Sequence, residues 1–205
     1  MGDRGSRWDE MYRSRSVDTV SWYQARPTMS LALIEHAEVA KGAPLIDVGG
    51  GASSLVDHLL REDYADVAVM DLADSALAAA RERLGEQARQ VDWIVGDVLA
   101  FAPIKRYALW HDRAVFHFLV DAGERRRYLE ALGRASQAGT QLVIGTFAED
   151  GPERCSGLPV ARYRVAELHA VFGEDYELLE STRETHRTPD GSDQHFTWVR
   201  LRRLR

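Results

Sequence analysis

The stretch Pro44-Leu45-Ile46-Asp47-Val48-Gly49-Gly50-Gly51-Ala52-Ser53-Ser54 constrains this chain more than any other. A short apolar run breaks into three glycines and resumes as Leu55-Val56-Asp57-His58-Leu59-Leu60, which is apolar at helical spacing. Strand, tight turn and helix are therefore expected in that order. Glycine lets the backbone turn sharply and approach a ligand, and the start of a helix offers free N–H groups. The same spacing also suits an ordinary strand-to-helix connection, so Asp47 is the informative residue. A carboxylate at the mouth of the turn opposes a pyrophosphate but pairs well with a cationic amino group. The dinucleotide fingerprint G-x-G-x-x-G is also incomplete, because Ser54 stands at its last position.

At 205 residues, with 45% apolar and 28% charged residues, the chain has the size and balance of one soluble globular domain, 1–205. No apolar run approaches the roughly 18 residues of a membrane span. Residues 1–6 lack the apolar segment of a secretion signal. A cytoplasmic location without membrane contact is the expectation. A net charge of −6 argues against a nucleic-acid partner, which would need a basic face. The single cysteine, Cys155, excludes an internal disulfide framework and a Cys-rich zinc site.

Residues 1–28 carry unusual aromatic weight in Trp8, Tyr12, Trp22 and Tyr23. They form an N-terminal segment that either packs onto the core, residues 29–205, or closes over a ligand as a cap. Residues 29–40 read as a helix stopped near Gly42 and Pro44. Strands follow at 67–70, 91–95, 107–110 and 141–147, and helices at 75–84, 125–135 and 165–172. Asp121 with Glu124 forms a capping box for the second of these helices. Alternating strands and helices specify a doubly wound α/β fold with a mostly parallel sheet of seven strands. The segments 176–187 and 194–201 flank Thr188-Pro189-Asp190-Gly191-Ser192, which is turn chemistry, so they form an antiparallel hairpin at the sheet edge. His186 and His195 on that hairpin would lie near each other, but a metal there lacks a third ligand.

The first four strands end on or beside Asp47, Asp71, Asp97 and Asp112. In an open parallel sheet, ligands bind at the carboxyl ends of the strands. Asp71 follows Gly51 by 20 residues, where an acid takes the hydroxyls of a ribose. On these motifs, Asp47-Val48-Gly49-Gly50-Gly51, Met70-Asp71-Leu72 and Gly96-Asp97-Val98, residues 30–148 resemble the class I S-adenosylmethionine-dependent methyltransferases, whose fold is Rossmann-like. The resemblance implies S-adenosylmethionine as cofactor and S-adenosylhomocysteine as product. It implies that Gly49, Gly50 and Gly51 line the methionine part, that Asp71 with Leu72 holds the ribose, and that Asp97 with Val98 frames the adenine. Ser53 departs from the third glycine often found in the turn.

On the acceptor side, Asp112-Arg113-Ala114 with Leu119 and Arg125-Arg126-Arg127-Tyr128 is similar to a segment of the thiopurine S-methyltransferases, which makes Asp112 and Arg113 active-site candidates. Trp8-Asp9-Glu10 with Tyr12 and Ser21-Trp22-Tyr23 resembles the start of small protein-lysine methyltransferases. The acceptor is expected to be a small molecule, with a thiol or similar nucleophile favoured, and a protein lysine is the alternative; a non-catalytic module binding the same nucleoside is a further one. Methyl transfer chiefly needs alignment and the exclusion of water. His111 or His117 would take the acceptor's proton. Asp112 would orient Arg113, whose charge lowers the pKa of a nearby thiol. The loop 149–159 would overhang the pocket as a lid carrying Cys155, with Phe116 and the N-terminal aromatic residues as further walls.

Overall fold

The computed structural model describes residues 2–205, with side chains from residue 5 onward. A first helix, α1 (Gly2–Ser14), and α2 (Thr28–His36) precede β1 (Leu45–Val48), α3 (Leu55–Arg61), β2 (Val67–Asp71), α4 (Asp74–Leu84) and β3 (Val91–Val95). Then come β4 (Leu109–Arg113), α5 (Ala122–Ala135) and β5 (Gln141–Phe147). A miniature hairpin of β6 (Arg154–Cys155) and β7 (Leu158–Pro159) leads to α6 (Val165–Phe172), β8 (Tyr176–Arg187) and β9 (Asp193–Arg203). The seven-stranded sheet has the order β3-β2-β1-β4-β5-β9-β8. Its first five strands are parallel, and β9 and β8 close the edge in antiparallel fashion.

Apolar side chains cover both faces of the sheet, as a buried parallel sheet requires. On one face Ile46, Met70, Trp110 and Leu142 pack against Tyr128 and Leu132 of α5 and Leu168 and Phe172 of α6. On the other, Leu45, Val67, Leu109 and Val143 pack against Leu33 and Ile34 of α2, Leu55 and Leu59 of α3 and Leu77 of α4. The chain winds outward from β1 through β2 and β3, then returns to β4 on the other side of β1. That reversal opens a crevice at the carboxyl ends of β1 and β4.

Two differences from the sequence reading bear on the site. The helix expected over 29–40 ends at His36, because Glu38 takes a positive φ of 51° and turns the chain away. The fourth strand begins at Leu109 and runs through Arg113. His111, Asp112 and Arg113 thus lie within the strand and alternate between its faces. Asp112 points away from His111 and Arg113 into the α5 layer.

There Asp112 is fully buried. Its Oδ1 accepts from the N–H groups of Val115 and Phe116 at 3.0 and 3.2 Å. Its Oδ2 accepts from the Tyr128 hydroxyl at 2.7 Å, and that hydroxyl accepts from Trp110 Nε1 at 2.8 Å. Burial raises the Asp112 pKa to about 6 against these stabilising bonds. The carboxylate holds the turn after β4 in place and does not orient Arg113. Tyr128→Phe strands two buried polar groups at once, so a loss of about 2–3 kcal/mol is expected in urea unfolding, with an unchanged m-value.

Candidate active site

A cavity of about 420 Å³ occupies the crevice, within the range of sites for small ligands. Its floor is the glycine turn. Gly49 has a φ of 68°, and a Cβ there would overlap Val115. A Cβ at Gly50 would overlap Asp47 and Val69. Only glycine lets the turn fold this tightly. Gly49, Gly50, Asp71, Leu72, Asp97 and Val98 all line the cavity, and Gly51 sits with Asp71 Oδ2 and the Tyr12 hydroxyl beside it. Asp97 also caps the turn that follows β3, accepting from the N–H of Leu99 at 2.9 Å.

Asp71 ends β2 and accepts from the N–H of Ala73 at 2.8 Å. Burial, helped by the nearby charges of Asp47 and Asp9, raises its pKa to about 7. A carboxyl kept in this condition favours hydrogen-bond donors from a ligand.

Asp47, which the sequence reading set against a cationic amino group, lines the cavity with one oxygen engaged inside the protein. Its Oδ1 lies 2.7 Å from His111 Nδ1, and His111 Nε2 lies 2.9 Å from the hydroxyl of Ser30 in α2. All three are buried and border the cavity. With Asp47 accepting from Nδ1–H, the imidazole presents its Nε2 lone pair to Ser30. Nothing local in the sequence marks Ser30, which the register of β4 and the docking of α2 bring to His111.

The roof is aromatic. Trp8 and Tyr12 of α1 line the cavity with Trp22, whose Nε1 donates to the Tyr12 hydroxyl at 3.1 Å. Trp8 meets Trp22 and Phe118 edge to face at 5.8 and 5.4 Å. On one side α1 is tied to α4, Asp9 accepting from the N–H and hydroxyl of Ser75. On the other, Arg7 Nη2 donates to the carbonyl of Ser156 at 2.9 Å, between β6 and β7. Loop 149–159 thus meets the cavity through that hairpin, with Cys155 in its wall. Burial pushes the Cys155 thiol up to about 11, so it stays neutral.

Arg113 also lines the cavity. Its Nη1 donates to the carbonyl of Trp22 at 2.9 Å, and its guanidinium lies 4.9 Å from the centre of the Phe196 ring.

Besides Asp112, three candidates lie elsewhere. Phe116 is fully buried among Tyr128, Tyr163 and Phe172, and Phe118 takes its place at the cavity. Tyr23 does not border the cavity. His117 is fully buried against Phe147 and accepts from its N–H at 3.4 Å. Burial and the charge of Arg113 lower its pKa to about 3. It is a neutral imidazole near neutrality, buried away from the cavity and out of reach of an acceptor there. His186 turns to the carbonyl of Ser21 and His195 to Asp150, so the hairpin does not bring the two histidines together.

Residues 45–139 match the family model described as a methyltransferase domain. That segment is a methyltransferase domain, and the whole chain shares the fold of solved S-adenosylmethionine-dependent methyltransferases. A structure described for the conversion of a disulfide bond into a thioacetal group during echinomycin biosynthesis is similar, with 21% identity and a TM-score of 0.78, over 98% of this chain and 93% of that one. The 1,6-didemethyltoxoflavin-N1-methyltransferase of Burkholderia thailandensis, with bound S-adenosylhomocysteine, shows 20% identity and a TM-score of 0.76 over 98% and 87%. The N-methyltransferase NodS of Bradyrhizobium japonicum WM9, also with S-adenosylhomocysteine, shows 15% and 0.73 over 99% and 100%. No sequence of curated function matches the chain. Among the described residues no helix is long and apolar enough to cross a membrane.

The raised pKa of Asp71 has a thermodynamic consequence. A carboxyl that holds its proton more tightly folded than unfolded weakens the fold as pH climbs from the ordinary value, 3.8, through the folded one, about 7. Asp71→Asn keeps the acceptor for Ala73 and removes the penalty. The variant is expected to exceed the ligand-free wild type by about 4 kcal/mol at pH 8 and to lose that advantage near pH 4, read from denaturant midpoints.

Proposed function

We propose that this protein methylates a small molecule enclosed in the cavity, at a thiol or similar soft nucleophile, with S-adenosylmethionine as donor. The observation that carries this reading is a single cavity joining the acids Asp71 and Asp97 to a compartment walled by His111, Arg113 and Cys155 under an aromatic roof. The residues fit the cofactor on physical grounds. Asp71, its pKa raised by burial, suits ribose hydroxyls, Asp97 with Val98 suits the adenine, and Gly49, Gly50 and Gly51 leave room for the amino-acid tail. When bound, the cofactor supplies an electrophilic methyl on a sulfonium.

The chain's own residues supply alignment, dryness and a route for the proton. Trp8, Tyr12, Trp22 and Phe118 keep water from the reacting atoms. Ser30 receives the acceptor's proton while passing its own to His111 Nε2, and Asp47 stabilises the resulting imidazolium. Arg113 lowers the pKa of a thiol beside it and repels an ammonium. That charge, together with the roof clasped on both sides, supports a small acceptor over a protein lysine.

Incubation with methyl-labelled cofactor and a mixed metabolite and protein extract should place label on metabolites; label on protein alone, or none, would refute the reading. With the acceptor so found, Ser30→Ala and His111→Gln should each lower kcat about 10²-fold or more and leave S-adenosylhomocysteine affinity unchanged in calorimetry.

A further inference from the structure

Arg113 is held on one side and bare on the other. A guanidinium has five N–H donors in a rigid fork. Nη1 is spent on the Trp22 carbonyl, and the Phe196 ring covers the plane. Nε and Nη2 are both buried and have no hydrogen-bond partner among the described residues. Together these two nitrogens form the edge that grips a carboxylate through two parallel hydrogen bonds. Leaving such donors dry and unpaired is costly, so the arrangement calls for an acceptor from outside.

The protein's own acids are kept from this edge. Glu184 accepts from Gln24 Nε2 at 2.8 Å through one oxygen and from Trp198 Nε1 at 2.9 Å through the other. Asp47 Oδ1 is engaged with His111. Arg113 is also pre-positioned, because Trp22 and Phe196 fix its fork before any ligand arrives.

We propose that the free edge of Arg113 binds a carboxylate carried by the methyl acceptor, so that the substrate is an organic acid. The inference rests on the reading that this compartment holds the acceptor. The cofactor's amino-acid tail carries a carboxylate too, but Arg113 stands on β4. That strand lies across β1 from Asp71 on β2, and Arg113 faces Phe196 of β9. The roof of Trp8, Trp22 and Phe118 suits a flat molecule, and the acid and its nucleophilic atom then enter with Arg113 as the anchor.

The test uses benzoate and its neutral isostere benzamide, titrated by calorimetry into protein with and without S-adenosylhomocysteine. Benzoate should bind at least tenfold more tightly than benzamide. Arg113→Gln and Arg113→Lys should both erase that preference, the lysine keeping the charge without the fork. Their affinity for S-adenosylhomocysteine should stay within about twofold of wild type. Equal binding of benzoate and benzamide, or a preference that survives both substitutions, overturns the proposal. So does a loss of S-adenosylhomocysteine affinity as large as the loss of benzoate, which assigns the edge to the cofactor's tail. Should Arg113→Gln fail to fold, the wild-type comparison and Arg113→Lys still decide. Failure of wild-type protein to take up S-adenosylhomocysteine would instead defeat the methyltransferase reading, whereas the benzoate titration without it still reports on Arg113.

Discussion

The hydrogen bond between Asp47 and His111 is the constraint around which the centre of this molecule is built. The two residues face each other across neighbouring parallel strands in register, 2.7 Å apart and both buried. A carboxylate in that position without a partner would be unfavourable by several kcal/mol. His111 supplies the donor and passes the connection on to Ser30, which ties α2 to the sheet through a polar contact within an otherwise apolar layer. Gly50 must lack a side chain because Asp47 occupies the space, so the tightness of the turn follows from the same pair.

The alternation of β4 distributes polar work between the two faces of the sheet. His111 and Arg113 face the cavity, and Asp112 faces α5, where it joins Tyr128 and Trp110 in a closed network. The first face keeps polar atoms available for a ligand, whereas the second satisfies Asp112 internally. That difference separates cavity lining from scaffolding within three consecutive residues. A roof of aromatic side chains lies over the cavity-facing side, held by Asp9 at one side and Arg7 at the other.

Much of the architecture was legible from the chain itself. The glycine turn, the strand-end acids and the turn at Pro189-Asp190-Gly191 specify a parallel sheet with a reversed hairpin, because each rests on short-range backbone physics. Asp71, Asp97 and Val98 fall beside the cavity for the same reason. Asp112, Phe116 and His117 were legible as belonging to the turn after β4, but their directions were not. A strand boundary misplaced by three residues changes which acids share a face, and no local pattern reveals that Phe118 and not Phe116 reaches the roof.

By itself, the sequence determined the order of elements, the sheet's polarity and the bend free of side chains, since these follow from periodicity, turn chemistry and the steric freedom of glycine. Only the tertiary structure decided that Asp47 is engaged by His111, that Ser30 completes the chain of hydrogen bonds, and that one edge of Arg113 is left bare. Those outcomes depend on strand register and on the docking of α2 and residues 20–24 against the sheet. Both bring together groups far apart in the chain, as the Arg113 side chain and the Trp22 carbonyl are at 91 positions, through contacts that no local signal encodes.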